Sequence, residues 1–135
     1  MLKYNKMKIL KTNVNNKYEL KKLGYNSNKY YCGNYSMQNL YSYIYNVLRK
    51  KGIYFAFNRA CFIHDVNYSR KPNLDEKKII DKQFYVDMQK CIIYHYNNND
   101  IDLIRAVSLR GVAWLFYYIV QKFTALYIRQ GKIKK

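Results

Sequence analysis

The spacing of apolar and polar residues along the chain predicts helices. Leu40, Ile44 and Leu48 recur at i, i+4 and i+8, which places them on one face of a helix. Ser36 is suited to cap the start of this helix, and Gly52 follows its basic end. Sustained two-residue alternation, the pattern of a half-buried strand, is absent outside short Tyr-rich runs. We therefore expect an all-α fold.

Two central helices are predicted next along the chain. The segment FAFNRACFIHDVNYS forms the first of them and ends near Ser69, because Pro72 disfavours helical backbone in the residue before it. Asn73 and Glu76, three residues apart, resemble a capping box that opens the second. That helix is expected to close at the three asparagines 97–99.

A long apolar segment is predicted to form the last helix, from about Asp102 to Gln130. This helix is apolar over more than half its circumference, so we expect it to cover the other helices. Within it, residues 111–128 approach membrane-spanning length, but Gln121 and Lys122 interrupt the apolar run. A true transmembrane helix is the less favoured interpretation, and the sequence leaves open whether this segment packs on the core or enters a bilayer.

The length of 135 residues indicates a single domain. Residues 1–29 are rich in Lys and Asn and are predicted to form a basic, loosely ordered arm with at most one short ordered piece, while residues 30–135 form the domain. No secretory signal is visible. The three cysteines lack paired C-x-x-C spacing and are too few for a disulfide-dense scaffold.

The charge of the chain favours polyanionic partners. Lys and Arg number 25 against 8 Asp and Glu, a formal net charge of +17, which suits nucleic acid or an anionic membrane surface. Lys, Asn, Tyr and Ile are all frequent, as an A/T-rich coding sequence would produce. We therefore give the charge less weight than the motifs that follow.

A set of reactive residues lies on the first central helix. Cys61, His64, Asp65 and Tyr68 are spaced i, i+3, i+4 and i+7 and share one face. Adjacent helical side chains point about 100° apart, so His64 and Asp65 cannot form a hydrogen-bonded pair. A histidine can take a proton from water while a nearby carboxylate binds a hard cation beside that water. The Gly-containing turn at 31–35 offers further carbonyl ligands.

Three segments in order carry a more specific signal: Tyr31-Cys32-Gly33, ACFIHDVNY over 60–68, and DKQFYVDM over 81–88 followed by Cys91. The first resembles the start of the calcium loop of the phospholipase A2 superfamily. The second resembles its C-x-x-H-D-x-x-Y helix, and the third the D-x-x-F-x-x-D-M…C segment of its bacterial and fungal branch. The resemblance covers less than half of the chain and is to the microbial and viral types.

The resemblance implies both a fold and a mechanism. The fold is a small helical phospholipase A2-like domain with two core helices that carry the His and the Asp. His64 is implied to be the general base that activates water for attack on the sn-2 ester of a glycerophospholipid. Asp87 is implied to accept a hydrogen bond from His64, and Tyr68 to hydrogen-bond Asp87. An orienting role would also explain why Asp87 interrupts an otherwise apolar stripe.

The resemblance also implies a calcium ion and a disulfide. The implied calcium ligands are the carboxylate of Asp65 and the backbone carbonyls of Tyr31, Gly33 and Tyr35. The disulfide is between Cys32 and Cys61, which would tie the calcium turn to the catalytic helix.

The sequence thus predicts calcium-dependent phospholipid hydrolysis at an anionic membrane surface. One alternative keeps the fold without the catalysis, as a membrane-binding protein. The other is a basic nucleic-acid-binding domain with Tyr stacking platforms, which is disfavoured because no recognisable nucleic-acid-binding motif is present. The compartment is not determined, although carriage in a virus particle would reconcile a calcium enzyme with the absence of a visible leader.

Overall fold

A computed structural model describes residues 9–29, 31–32, 53–122, 128–129 and 131. This part of the chain is helical and contains no β-strand, which confirms the all-α expectation. Its helices are α1 (Lys17–Lys22), α2 (Ile53–Ser69), α3 (Leu74–Asn97) and α4 (Leu103–Lys122). The helix predicted between Ser36 and Gly52 lies outside the described residues.

The boundaries of α2 and α3 follow the local signals in the sequence. α2 ends at Ser69, before Pro72. The Asn73 side chain accepts a hydrogen bond from the Glu76 backbone N–H (2.8 Å), and the Glu76 carboxylate accepts one from the Asn73 backbone N–H (3.0 Å). This reciprocal capping box satisfies two amide groups that the first turn leaves without helical partners. Since only four residues join α2 to α3, the two helices form a hairpin.

Apolar side chains from α2, α3 and α4 form most of the core. The largest fully buried ones include Phe57, Ile63, Ile80, Met88 and Leu109. The rings of Phe57 and Phe116 are in contact and join α2 to α4, and those of Tyr85 and Tyr117 join α3 to α4. Each such side chain contributes roughly 1.5–3 kcal/mol by leaving water. These contacts pack α4 against the hairpin that carries His64.

The segment before the hairpin packs more tightly than its polar composition indicates. α1 lies within the predicted arm of residues 1–29, of which the structure describes residues 9–29, and Val14 and Leu20 are fully buried there. In addition, the Leu10 backbone N–H donates to the Asn67 side chain of α2 at 2.8 Å. The buried side chains of Val14 and Leu20 and the hydrogen bond to Asn67 therefore hold this part of the predicted arm against the hairpin.

Candidate functional site

His64 lies in a buried polar cluster between α2 and α3. Its Nε2 is 2.9 Å from Asp81 Oδ1, and the Tyr68 hydroxyl donates to the same oxygen at 2.5 Å. Tyr68 is one turn after His64 on α2, so both side chains reach one carboxylate of α3. All three side chains are buried. The structure thus brings together two of the predicted site residues, His64 and Tyr68.

The carboxylate in this cluster is Asp81, and the assignment of that role to Asp87 was wrong. Residues that face each other in a helical hairpin lie at similar distances from the linker. His64 is six residues before the linker 70–73 and Asp81 is eight residues after it, whereas Asp87 is fourteen residues after it. Asp87 is therefore too far along α3 to take the hydrogen bond from His64.

Lys77 completes the cluster and was not among the residues predicted from the sequence. Its ammonium group pairs with Asp81 Oδ2 and donates to the Val120 carbonyl of α4 at 3.0 Å. Lys77 is buried, a costly position for a charge unless a counter-charge lies beside it. The available signal was the i, i+4 spacing of Lys77 and Asp81 on one face of α3.

The charges around Asp81 keep this carboxylate ionised. Burial by itself raises the pKa of Asp81, but the hydrogen bond and charge of His64, together with Lys77, outweigh it and lower the pKa below 3.8. The stability that this ionisation contributes is therefore present above about pH 4 and lost as the pH falls through the lowered pKa. An ionised Asp81 accepts a hydrogen bond from the Nε2–H of His64, which leaves the imidazole lone pair on Nδ1.

Aromatic rings fix the plane of the His64 imidazole. Phe84 stacks on it with ring centroids 4.3 Å apart and an interplanar angle of 24°. Tyr68 makes an edge contact with it at 4.4 Å and 74°. The Nδ1 lone pair therefore has a defined direction, which proton transfer requires.

A disulfide fixes the start of the predicted calcium turn to α2. Cys32 is bonded to Cys61 with Cα atoms 5.0 Å apart, which confirms the implied pairing. Asn58, one turn before Cys61, accepts a hydrogen bond from the Tyr31 backbone N–H at 2.7 Å and donates to the Lys29 carbonyl at 2.8 Å. On the chain-entropy model, a cross-link of this span stabilises the fold by about 3.5 kcal/mol.

The predicted calcium ligands are only partly within the described residues. Asp65 is exposed and lies one turn after Cys61, on the face of α2 to which the turn is tied. Tyr31 is described, whereas Gly33 and Tyr35 lie outside the described residues. Among the described residues, no group of three or more His, Cys, Asp and Glu side chains is arranged to hold a metal ion. The predicted site differs from such a cluster, because it uses one carboxylate and several backbone carbonyls. Calcium accepts an all-oxygen donor set of this kind.

Asp87 is a buried carboxyl that does not contact His64. Its Oδ2 has no hydrogen-bond partner among the described residues. Burial raises the pKa of Asp87 to about 6, against smaller opposing effects of the Lys90 charge, a Gln83 hydrogen bond and the His64 charge. An ionised Asp87 therefore opposes folding at neutral pH.

We expect Asp87→Asn to stabilise the fold at pH 8 by about 1–3 kcal/mol. The folded pKa of about 6 lies above the ordinary carboxyl value of 3.8. The stability that protonated Asp87 contributes is therefore complete below about pH 4 and is lost as the pH rises through 6. Urea unfolding between pH 4 and 8 measures this effect. Asp75→Asn, at an exposed position of the same helix, should keep the wild-type pH dependence. An unchanged slope in Asp87→Asn would contradict the assignment.

The described fold and site define an all-α protein with a disulfide and a buried His–Asp–Tyr–Lys cluster. Comparison of the chain with known protein families, curated proteins and solved structures finds no match. The function is therefore inferred from the residues and their geometry.

Proposed function

We propose that the protein is a calcium-dependent phospholipase A2-like hydrolase that cleaves the sn-2 ester of glycerophospholipids at a membrane surface. The observation that carries this proposal is the contact of His64 Nε2 with the buried Asp81 carboxylate, which Tyr68 also contacts. A buried, ionised carboxylate behind an imidazole is the arrangement of a general base. The motif resemblance supplies the substrate class.

His64 acts as the general base. Because Nε2–H donates to Asp81, Nδ1 takes a proton from a water molecule as the water oxygen attacks the ester carbonyl. The imidazole then carries a positive charge beside the ionised Asp81 carboxylate, which stabilises it. When the bond to the glycerol oxygen breaks, the same nitrogen returns the proton to that oxygen. The products are a free fatty acid and a lysophospholipid.

Tyr68 and Lys77 are positioning residues in this proposal. Tyr68 donates to Oδ1 of Asp81, and Lys77 pairs with Oδ2. With both oxygens engaged, the carboxylate cannot rotate away from His64. The Lys77 charge also disfavours transfer of the imidazole proton to Asp81, so the proton stays on the histidine.

The chemistry of the proposed donors, which are all oxygen atoms, suits a calcium ion. The proposed ligands are the Asp65 carboxylate and three backbone carbonyls, those of Tyr31, Gly33 and Tyr35. The Cys32–Cys61 disulfide ties the start of this segment to the face of α2 that carries Asp65. When bound there, calcium polarises the ester carbonyl and neutralises the negative charge that develops on its oxygen.

Fatty-acid release from phospholipid vesicles tests the proposal. The vesicles contain lipids with different acyl chains at the sn-1 and sn-2 positions, and release is measured with millimolar calcium and with a chelator. We expect the sn-2 chain alone to be released, at a rate at least about 100-fold higher with calcium than with chelator. An absence of release under both conditions, from protein whose helical circular dichroism is intact, would refute the proposed activity.

A further inference from the structure

α4 carries a ridge of exposed apolar residues on the side away from the core. Ile104, Val107, Leu115 and Tyr118 are spaced i, i+3, i+11 and i+14, which aligns them along one face. The exposed fractions are 79% for Ile104 and 61% for Val107, and the neighbouring Trp114 is 55% exposed. The opposite face is buried and includes Ala106, Leu109, Ala113, Phe116 and Val120. We call the exposed set of Ile104, Val107, Trp114, Leu115 and Tyr118 the α4 ridge.

The composition of α4 is typical of a helix in contact with lipid. By length and composition alone, Leu103–Lys122 could cross a membrane. Its inner face, however, packs on the protein, and the Val120 carbonyl accepts a hydrogen bond from Lys77. Only the outer face is available, so a helix lying along a membrane surface fits better than one that spans it.

Charged residues around the α4 ridge favour an anionic surface. Arg105 and Arg110 are exposed on its two sides, and Lys122 is exposed at its end. The helix contains no Asp or Glu. A second copy of the chain is a poorer partner for this face, because each copy carries a net charge of +17 and the same arginines would be brought together.

Aromatic residues at the C-terminal end of the ridge suit the headgroup region. The Trp114 ring stacks on Tyr118 at 5.4 Å, and the Lys122 ammonium lies 5.3 Å from the Tyr118 ring centroid. Trp and Tyr concentrate at the membrane–water interface, and lysine side chains extend from there towards phosphate groups.

We propose that the α4 ridge docks on an anionic phospholipid surface, with α4 parallel to the membrane plane. The apolar side chains enter the headgroup–acyl boundary, while Arg105, Arg110 and Lys122 contact lipid phosphates. This inference rests on the proposed function in that the surface bound is also the substrate. Binding itself needs neither His64 nor calcium, since the ridge faces away from the buried cluster.

Trp114 provides a direct measurement of docking because it is the only tryptophan in the chain. Full-length protein is titrated with phosphatidylcholine vesicles and with vesicles that also contain phosphatidylglycerol, in the presence of a chelator. We expect a blue-shifted Trp114 emission that brominated lipids quench, with at least about 10-fold higher affinity for the anionic vesicles. The catalytic-base variant His64→Gln should behave like the wild type.

Two ridge variants test which residues bind. The double change Val107→Ser with Leu115→Ser should weaken vesicle binding by about 30-fold or more, because two apolar side chains no longer enter the lipid. Arg110→Gln should weaken it by about 5-fold. Ile79→Ser with Ile93→Ser is the matched control, since these residues are 52% and 59% exposed on α3, and it should leave binding unchanged.

The outcomes separate docking from catalysis. If Trp114 emission is unchanged by anionic vesicles, or if the Val107/Leu115 double variant binds like the wild type, the docking proposal is overturned. An emission shift that instead grows with protein concentration without lipid would show that a second copy covers the ridge, which also overturns it. Vesicle binding without any hydrolysis would leave docking established and refute the proposed activity alone.

Discussion

The variant His64→Gln is expected to lose about 10⁴-fold or more of the rate of fatty-acid release while keeping the wild-type fold. The glutamine amide can still donate a hydrogen bond to Asp81 Oδ1, so the buried carboxylate keeps a partner. It has no nitrogen lone pair that can take a proton from water. The loss therefore reports the chemical role of the imidazole and not its contribution to packing.

The rate of sn-2 fatty-acid release measures this effect, and the second buried histidine provides the control. His95 Nδ1 lies 2.9 Å from Asp100 Oδ2 at the end of α3, so His95→Gln alters a similar His–Asp contact away from the site. That variant should hydrolyse lipid within about 3-fold of the wild type. If His64→Gln retained more than about a tenth of the wild-type rate, His64 would not be the general base.

The variant Asp81→Asn is expected to lower the hydrolysis rate by about 10³-fold or more and the free energy of unfolding by about 3–5 kcal/mol. The rate falls because a neutral amide does not stabilise the protonated imidazole. Stability falls because the change removes the buried negative charge beside Lys77. Rates are measured on vesicles, and the free energy of unfolding is measured in urea at the same pH.

A double variant separates these two consequences. Asp81→Asn combined with Lys77→Met removes both buried charges, so we expect most of the stability to return while hydrolysis stays low. Asp87→Asn is the matched single change on the same helix and should keep the rate within about 10-fold of the wild type. Equal losses in Asp81→Asn and Asp87→Asn would contradict the assignment of the orienting carboxylate to Asp81.

The helices around the site are largely predictable from short-range signals. Pro72 ends α2, the Asn73–Glu76 capping box begins α3, and Asn98 follows the end of α3 at Asn97. These signals act between residues a few positions apart, so they can be read from the sequence alone. The same holds for the alignment of His64 and Tyr68 on one face of α2.

The carboxylate that forms a hydrogen bond with His64 could not be predicted from short-range signals. Asp81 and Asp87 both lie on the buried face of α3, so helical periodicity does not distinguish between them. The choice depends on how α3 is positioned along α2, which the four-residue linker and the packing of Phe84 on His64 decide. Lys77 is a similar case, because the Val120 carbonyl that it contacts is 43 residues away in the sequence.

Local spacing and motifs were sufficient to predict the all-α class, the limits of the central helices and the positions of His64, Tyr68 and the two paired cysteines. The folded structure was needed to establish that Asp81 and not Asp87 contacts His64, that Lys77 pairs with that carboxylate, and that one face of α4 remains exposed. Each of these depends on contacts between helices, which arise when the hairpin closes and α4 packs against it.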